Sequence, residues 1–252
     1  MSSLGFDLRP ERDGDALSAA VAEYFVEQSR LAIEQRGRFR VVLSGGSTPQ
    51  ALFGKLTCSP WREQVDWTRV EFFWGDERAV PADHEDSNFR MAQIHLLEPL
   101  SIDASQIHRM PADVPDLDAA ARAYQLRIAE VCGAGAKQVP QLDLVFLGMG
   151  EDGHTASLFP FTGALEPTDR WVVRNLVPQL GVERLSMTPC LINRAWCVVF
   201  LVVGQGKAER LAEVLEGPQD PVRLPCQLIE PDAGNLIWWV DRAAASLLAG
   251  FI

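Results

Sequence analysis

The chain has 252 residues, 47% of them apolar and 23% charged, with a formal net charge of −11 at pH 7. That length sits near the upper limit of what one hydrophobic core supports, so a single α/β domain spanning residues 1–252 is expected, burying about three quarters of its unfolded surface. The acidic balance argues against nucleic acid or anionic lipid as a partner, because both select basic surfaces. It leaves room for a small anionic ligand, since a few local cations outweigh a distant field screened within about 10 Å.

The apolar run Cys197–Val203 is far too short to span a bilayer, and the first residues, "MSSLGFDLRPERDG", lack the basic and apolar regions of a secretion signal. Five cysteines without a CxxC pair fit a reducing compartment, so a cytoplasmic protein is expected.

Taken in chain order, helix-like and strand-like segments alternate. Residues 15–35 place Leu17, Val21, Phe25 and Leu31 at helical spacing, and "RFRVVLSGG" then reads as a short buried strand closed by glycines. A helix is predicted from "STPQALF". The same beat recurs at "VEFFWGDER" with "SNFRMAQIHLLEPL", at "LDLVFLGMG" with "GHTASLF", at "WCVVFLVVG" with "KAERLAEVLEG", and at "NLIWWVD" with "RAAASLLAG". Five such units predict a mainly parallel sheet covered by helices on both faces. In that architecture ligands bind beyond the carboxyl ends of the strands.

Four of those strand ends carry polar residues. "LSGGSTP" offers backbone N–H groups around Gly45 and Gly46, the hydroxyls of Ser47 and Thr48, and a proline suited to the first turn of a helix. These are the parts of an anion cradle, and equally of an ordinary glycine turn with a hydroxyl cap. Asp76, Glu77 and Arg78 follow an aromatic strand and read either as site residues or as a solvated loop. His154 is framed by Gly148, Gly150 and Gly153, with Asp152 near enough to orient an imidazole. Asp and His two apart are also a fragment of a metal site, but no HxH, HExxH or Cys cluster completes the set, so no metal is expected. Arg184 and Lys207, each taken alone, are ordinary surface cations.

In combination, "LSGGSTP", "WGDER…DSN", "GMGEDGHTASLFP", "RLSMT" and "GQGKA" closely resemble the 6-phosphogluconolactonase family, part of a wider group that includes glucosamine-6-phosphate deaminases. The likeness runs the length of the chain and is strongest over residues 143–160. It implies a Rossmann-like fold, no metal or organic cofactor, and hydrolysis of 6-phospho-D-glucono-1,5-lactone to 6-phosphogluconate. Carried over by position, His154 is the general base and Asp152 the acidic residue before it. Arg184 and Lys207 hold the phosphate, and Gly45, Gly46, Ser47 and Thr48 form the phosphate loop. Asp76, expected as a catalytic residue with His154 and Asp152, and Arg78 line the sugar side, and Glu151 takes no role. In the deaminases the histidine motif continues to a glutamate just before the proline; here that position is Phe159, which neither accepts a proton nor is expected to orient an imidazole.

The chemistry asks for such groups on its own account. Water attack on a lactone needs a base near neutral pH, donors for the oxyanion, and an acid for the departing ring oxygen. No GxSxG elbow or activated cysteine supplies a nucleophile, so direct attack by water is the simplest scheme. Two other readings stand beside it: a sugar-phosphate isomerase or deaminase on the same fold, and a non-enzymatic sugar-phosphate sensor. The partner expected is a small sugar-phosphate lactone, bound by a monomer or at most a weak dimer.

Overall fold

The structure is a computed structural model and describes residues 5–135, 138–166, 169–178 and 180–250. The first strand, β1 (Asp7–Glu11), leads into the helix α1 (Gly14–Arg36), which starts where Asp13 accepts the Ala16 N–H at 2.9 Å and ends at Gly37, φ 78°. Next come β2 (Phe39–Leu43), α2 (Ser47–Leu56), β3 (Val70–Trp74) and the short β4 (Asp76–Arg78). The helical stretch α3 (Asn88–Ala92) continues as one wider turn through Leu97, then β5 (Ile107–His108), α4 (Leu117–Cys132) and β6 (Leu144–Gly148) follow. The remainder is β7 (Val172–Val177), β8 (Val182–Met187), α5 (Pro189–Ile192), β9 (Cys197–Val202), α6 (Ala208–Glu216) and β10 (Asn235–Asp241).

Seven strands form one parallel sheet in the order β1-β10-β9-β6-β2-β3-β5. Its central strands are mostly apolar, Arg40 in β2 and Glu71 in β3 being the charged exceptions near their amino ends, and β3 and β9 are buried along their whole length. From β2 the chain steps outward through β3 to β5, and from β6 it steps the other way through β9 to β10. Right-handed crossovers therefore place the helices of the two halves on opposite faces, and the direction reverses between β2 and β6.

A second, antiparallel sheet of three strands, β4-β8-β7, grows from the end of β3. Gly75 joins the two sheets: its N–H donates to Leu43 O at 3.0 Å, and its carbonyl accepts the Met187 N–H at 2.7 Å.

The five strands read from the sequence are all present. Two more, β1 and β5, extend the parallel sheet at its edges, and the antiparallel sheet was not expected. The helix expected over "GHTASLF" does not form. Gly153 (φ 87°) and Ala156 (φ 47°) both sit in the left-handed region, and Thr155 pairs with Leu158 across a tight bridge, so the segment is an irregular loop. The closing segment "RAAASLLAG" makes only a 3-10 turn, Ala244–Leu247.

Candidate active site

The carboxyl ends of β9, β6, β2 and β3 lie side by side and open on one cleft of about 220 Å³ at the point where strand order reverses. A larger cleft of about 480 Å³ lies at the amino ends of β1 and β10, but its Asp7 and Arg9 already pair with each other at 2.7 Å. The chemistry gathers in the smaller one.

After β2, Ser44, Gly45 and Gly46 form one wall. A Cβ on Gly45 would lie 1.8 Å from Asn88 Oδ1, so only glycine lets the Asn88 side chain cross here. Ser47 and Thr48, expected in the phosphate loop, follow directly as the first residues of α2. Gly46, at φ 100°, turns the chain so that Ser47 points to solvent and Thr48 sits in the first turn of α2, and neither hydroxyl caps the helix. What they offer is backbone, since the first N–H groups of a helix lack intrahelical acceptors.

After β6, the loop carries His154 into the cleft, backed by Asp152, which is not itself a lining residue. The imidazole Nδ1 lies 2.6 Å from Asp152 Oδ1, and the His154 backbone N–H donates to the same oxygen at 3.1 Å. Burial pushes the Asp152 carboxyl up, but its hydrogen bonds with His154 and the charge opposite outweigh that and hold it below the ordinary carboxylate value. A carboxylate only accepts, so Nδ1 carries a proton, and in the neutral imidazole it is Nε2 that holds the lone pair. Gly150 is as constrained as Gly45: a Cβ there would meet the imidazole Nδ1 at 2.1 Å.

The Phe159 ring stacks on His154, with centroids 4.0 Å apart and planes inclined by 20°. This corrects the expectation that phenylalanine at this position has no hold on the imidazole. Phe159 cannot exchange a proton, but its face is in contact with the ring.

The antiparallel sheet supplies the cations. Arg78 and Arg184 are directly opposite one another on β4 and β8 and both line the cleft. Each leaves a buried Nε without a hydrogen-bond partner. Burial lowers the Arg184 pKa, Asp76 works against this, and the like charge of Arg78 adds to it; the net shift is downward. Two adjacent guanidinium groups with unused donors are a site short of an anion. Lys207 enters from the turn after β9 and lines the opposite side, with no ion pair among the described residues.

Asp76 is buried and its oxygens are engaged: Oδ2 accepts from Ser157 Oγ at 2.6 Å, Oδ1 from Asn88 Nδ2 at 3.2 Å, and Arg184 Nη1 lies 3.9 Å away. It ties the His154 loop to the antiparallel sheet. Glu77, beside it, accepts the backbone N–H groups of Asn88 and Phe89 at 2.8 Å each and so anchors the start of α3 that presents Asn88. Asn88 and Ser157 went unassigned in the sequence. Both stand inside quoted motifs, but their partner, Asp76, is 12 and 81 residues away.

Residues 12–238 match the family described as glucosamine-6-phosphate isomerases/6-phosphogluconolactonase. A 6-phosphogluconolactonase of Synechocystis sp. is 42% identical over 217 residues, covering 86% of this chain and 88% of its own length. Among solved structures, the 6-phosphogluconolactonase from Trypanosoma cruzi superimposes with a TM-score of 0.85 at 27% identity, covering 98% of each chain. A monomeric glucosamine-6-phosphate deaminase has the same fold, with a TM-score of 0.80 at 21% identity over 96% of this chain and 100% of its own. Fold, motif order and the extent of the match agree: the chain belongs to the glucosamine-6-phosphate isomerase/6-phosphogluconolactonase family.

Proposed function

We propose that this protein is a 6-phosphogluconolactonase, hydrolysing 6-phospho-D-glucono-1,5-lactone to 6-phospho-D-gluconate in the cytosol, in the oxidative pentose phosphate and Entner–Doudoroff routes. The observation that carries the reading is that the His154–Asp152 pair shares one cleft with Arg78 and Arg184, each of which keeps a buried Nε without a hydrogen-bond partner. With its Nδ1 proton held by Asp152, His154 takes a proton from water at Nε2 as the water oxygen attacks the lactone carbonyl. The same nitrogen then returns a proton to the departing ring oxygen. Arg184 and Lys207 take the phosphate, with Arg78 on the sugar side, and that remote binding energy orients the ring for attack. The α2 N-terminus, with Gly45, Gly46, Ser47 and Thr48, adds backbone donors.

Asp76 acts by holding the His154 loop and Arg184 in register. A deaminase or isomerase needs a second proton carrier beside the histidine, and Phe159 fills that position with a hydrocarbon ring. Among the described residues no group of three His, Cys, Asp or Glu is placed to hold a metal ion, so the scheme uses none and chelator is expected to leave the rate unchanged. The chain is read as one domain working as a monomer or weak dimer.

The test is a coupled assay with freshly prepared phosphogluconolactone, corrected for spontaneous opening. Enzyme-dependent hydrolysis is expected, without ammonia release from glucosamine 6-phosphate or C2-proton exchange in glucose 6-phosphate. Either of the latter at a rate comparable to lactone opening would transfer the protein to the deaminase or isomerase class.

A further inference from the structure

Besides its covalent Cβ–Cγ bond, the His154 imidazole is held by one side-chain hydrogen bond, from Nδ1 to Asp152 at 2.6 Å. That bond restrains one edge of the ring and leaves its faces to be supported by packing. Gly150 brings bare backbone against the Nδ1–Cε1 edge and offers no side chain to the face of the ring. The flat surface that meets that face is Phe159, with centroids 4.0 Å apart and planes inclined by 20°.

Phe159 is itself firmly held. It is 5% exposed, its carbonyl accepts from Thr162 Oγ1 at 2.8 Å, and Thr162 Oγ1 in turn accepts from Asn175 Nδ2 at 3.0 Å. That chain of contacts runs from β7 of the antiparallel sheet to the face of the base. The Arg184 guanidinium lies over the same ring, 5.3 Å from its centroid. Arg184 is also restrained by Asp76 at 3.9 Å, whereas the aromatic contact on the imidazole face is the one with Phe159.

We propose that Phe159 is a positioning residue for the reaction: its ring fixes the plane of the His154 imidazole, and so the direction of Nε2, through stacking. The inference rests on the proposed general-base role of His154. It predicts a separation of kinetic constants, since a base turned out of line slows the chemical step while the phosphate cations still bind substrate.

The test uses Phe159→Leu, which keeps an apolar side chain and removes the face, and Phe159→Tyr, which keeps the face. Lactone hydrolysis is followed together with proton NMR of the histidine side chains, His154 being assigned by its loss in His154→Asn. In the wild type the His154 ring protons should resonate upfield of those of exposed His84, shielded by the stacked ring. Phe159→Leu should move them downfield and lower kcat roughly 10- to 100-fold, with KM changed less than about threefold. Phe159→Tyr should restore both the shift and kcat. Far-UV circular dichroism and thermal unfolding confirm that each variant folds. If Phe159→Leu does not fold, the wild-type spectrum and Phe159→Tyr still decide: an unshielded His154 in the wild type overturns the inference. A folded Phe159→Leu that loses the shielding but keeps wild-type kcat overturns it equally. Absence of lactone hydrolysis in the wild type defeats the proposed function instead, and leaves the NMR test of the stack standing.

Discussion

Around the amino ends of β2, β3 and β6 the buried carboxylates have cations in contact: Arg36 reaches Asp143 at 2.6 Å and Arg38 reaches Glu71 at 2.8 Å, with His108 Nε2 a further hydrogen-bond partner of Glu71 at 2.7 Å. At the carboxyl ends of the same strands, Arg184 approaches Asp76 only to 3.9 Å, and Arg78 and Arg184 keep unused donors. Pairing is not perfect at the amino end, where Arg40 Nε also lacks a partner. The difference is still one of purpose. Charge that is consumed within the protein holds strands together; charge left over is available to a ligand, at a cost in stability that the rest of the fold absorbs.

The sharpest way to break that contrast is to remove the base. His154→Asn should lower kcat by about 100-fold or more, the usual range for a lost general base, with little change in KM or thermal stability. A variant with near-wild-type kcat would show that the histidine belongs to the structural set after all. Next in size, Arg184→Ala should raise KM strongly, by a loss on the order of 1.5 to 3 kcal/mol, and unphosphorylated gluconolactone should be a poor substrate for the wild type. Equal efficiency on both lactones would mean that the leftover cations do not serve a phosphate.

At the amino end the outcome should invert. Asp143→Ala strands Arg36 and the Arg40 N–H, which the carboxylate accepts at 2.7 Å, and should cost about 1 to 3 kcal/mol in denaturant unfolding while leaving kcat and KM as they are. Reduced activity without reduced stability would erase the distinction between the two ends.

The smallest effect concerns Asp152, which belongs to the site but is partly consumed by His154. A carboxyl whose folded value is lowered adds stability that is complete above its unfolded value, about 3.8, and lost as the pH falls through the lower folded one. The stability gap between wild type and Asp152→Asn should therefore be present at pH 6 and shrink below pH 3.8. A gap that stays constant to pH 3 would show that the pair does not favour the charged carboxylate.

Five of the seven parallel strands were legible because each is a dense apolar run, four of them stopped by glycine. β1, "DLRPE", carries charge and proline and is only partly buried, as an edge strand can afford to be, so nothing marked it. β4, β7 and β8 are short or half-exposed and are stabilised by one another across the chain rather than by their own pattern. The site divides along the same line. His154, Asp152 and the glycines are local and stood out together, whereas the Asp76–Ser157–Asn88 bracket is made by tertiary contact and has no signature in a linear reading. Phe159 was visible as a departure from the deaminase motif, but its contact with the imidazole exists only because the loop refuses the helix its sequence suggested.

The junction at Gly75 makes the cleft a ruler. His154 rides on the large sheet and Arg184 on the small one, and a single residue's N–H and carbonyl set one sheet against the other. On the proposed assignment, the span from base to guanidinium measures the reach from a carbonyl at one end of a sugar to a phosphate at the other. A chain one carbon shorter, held by the same cations, should therefore be hydrolysed more slowly than the six-carbon lactone, because the sheets that carry base and guanidinium do not follow its carbonyl.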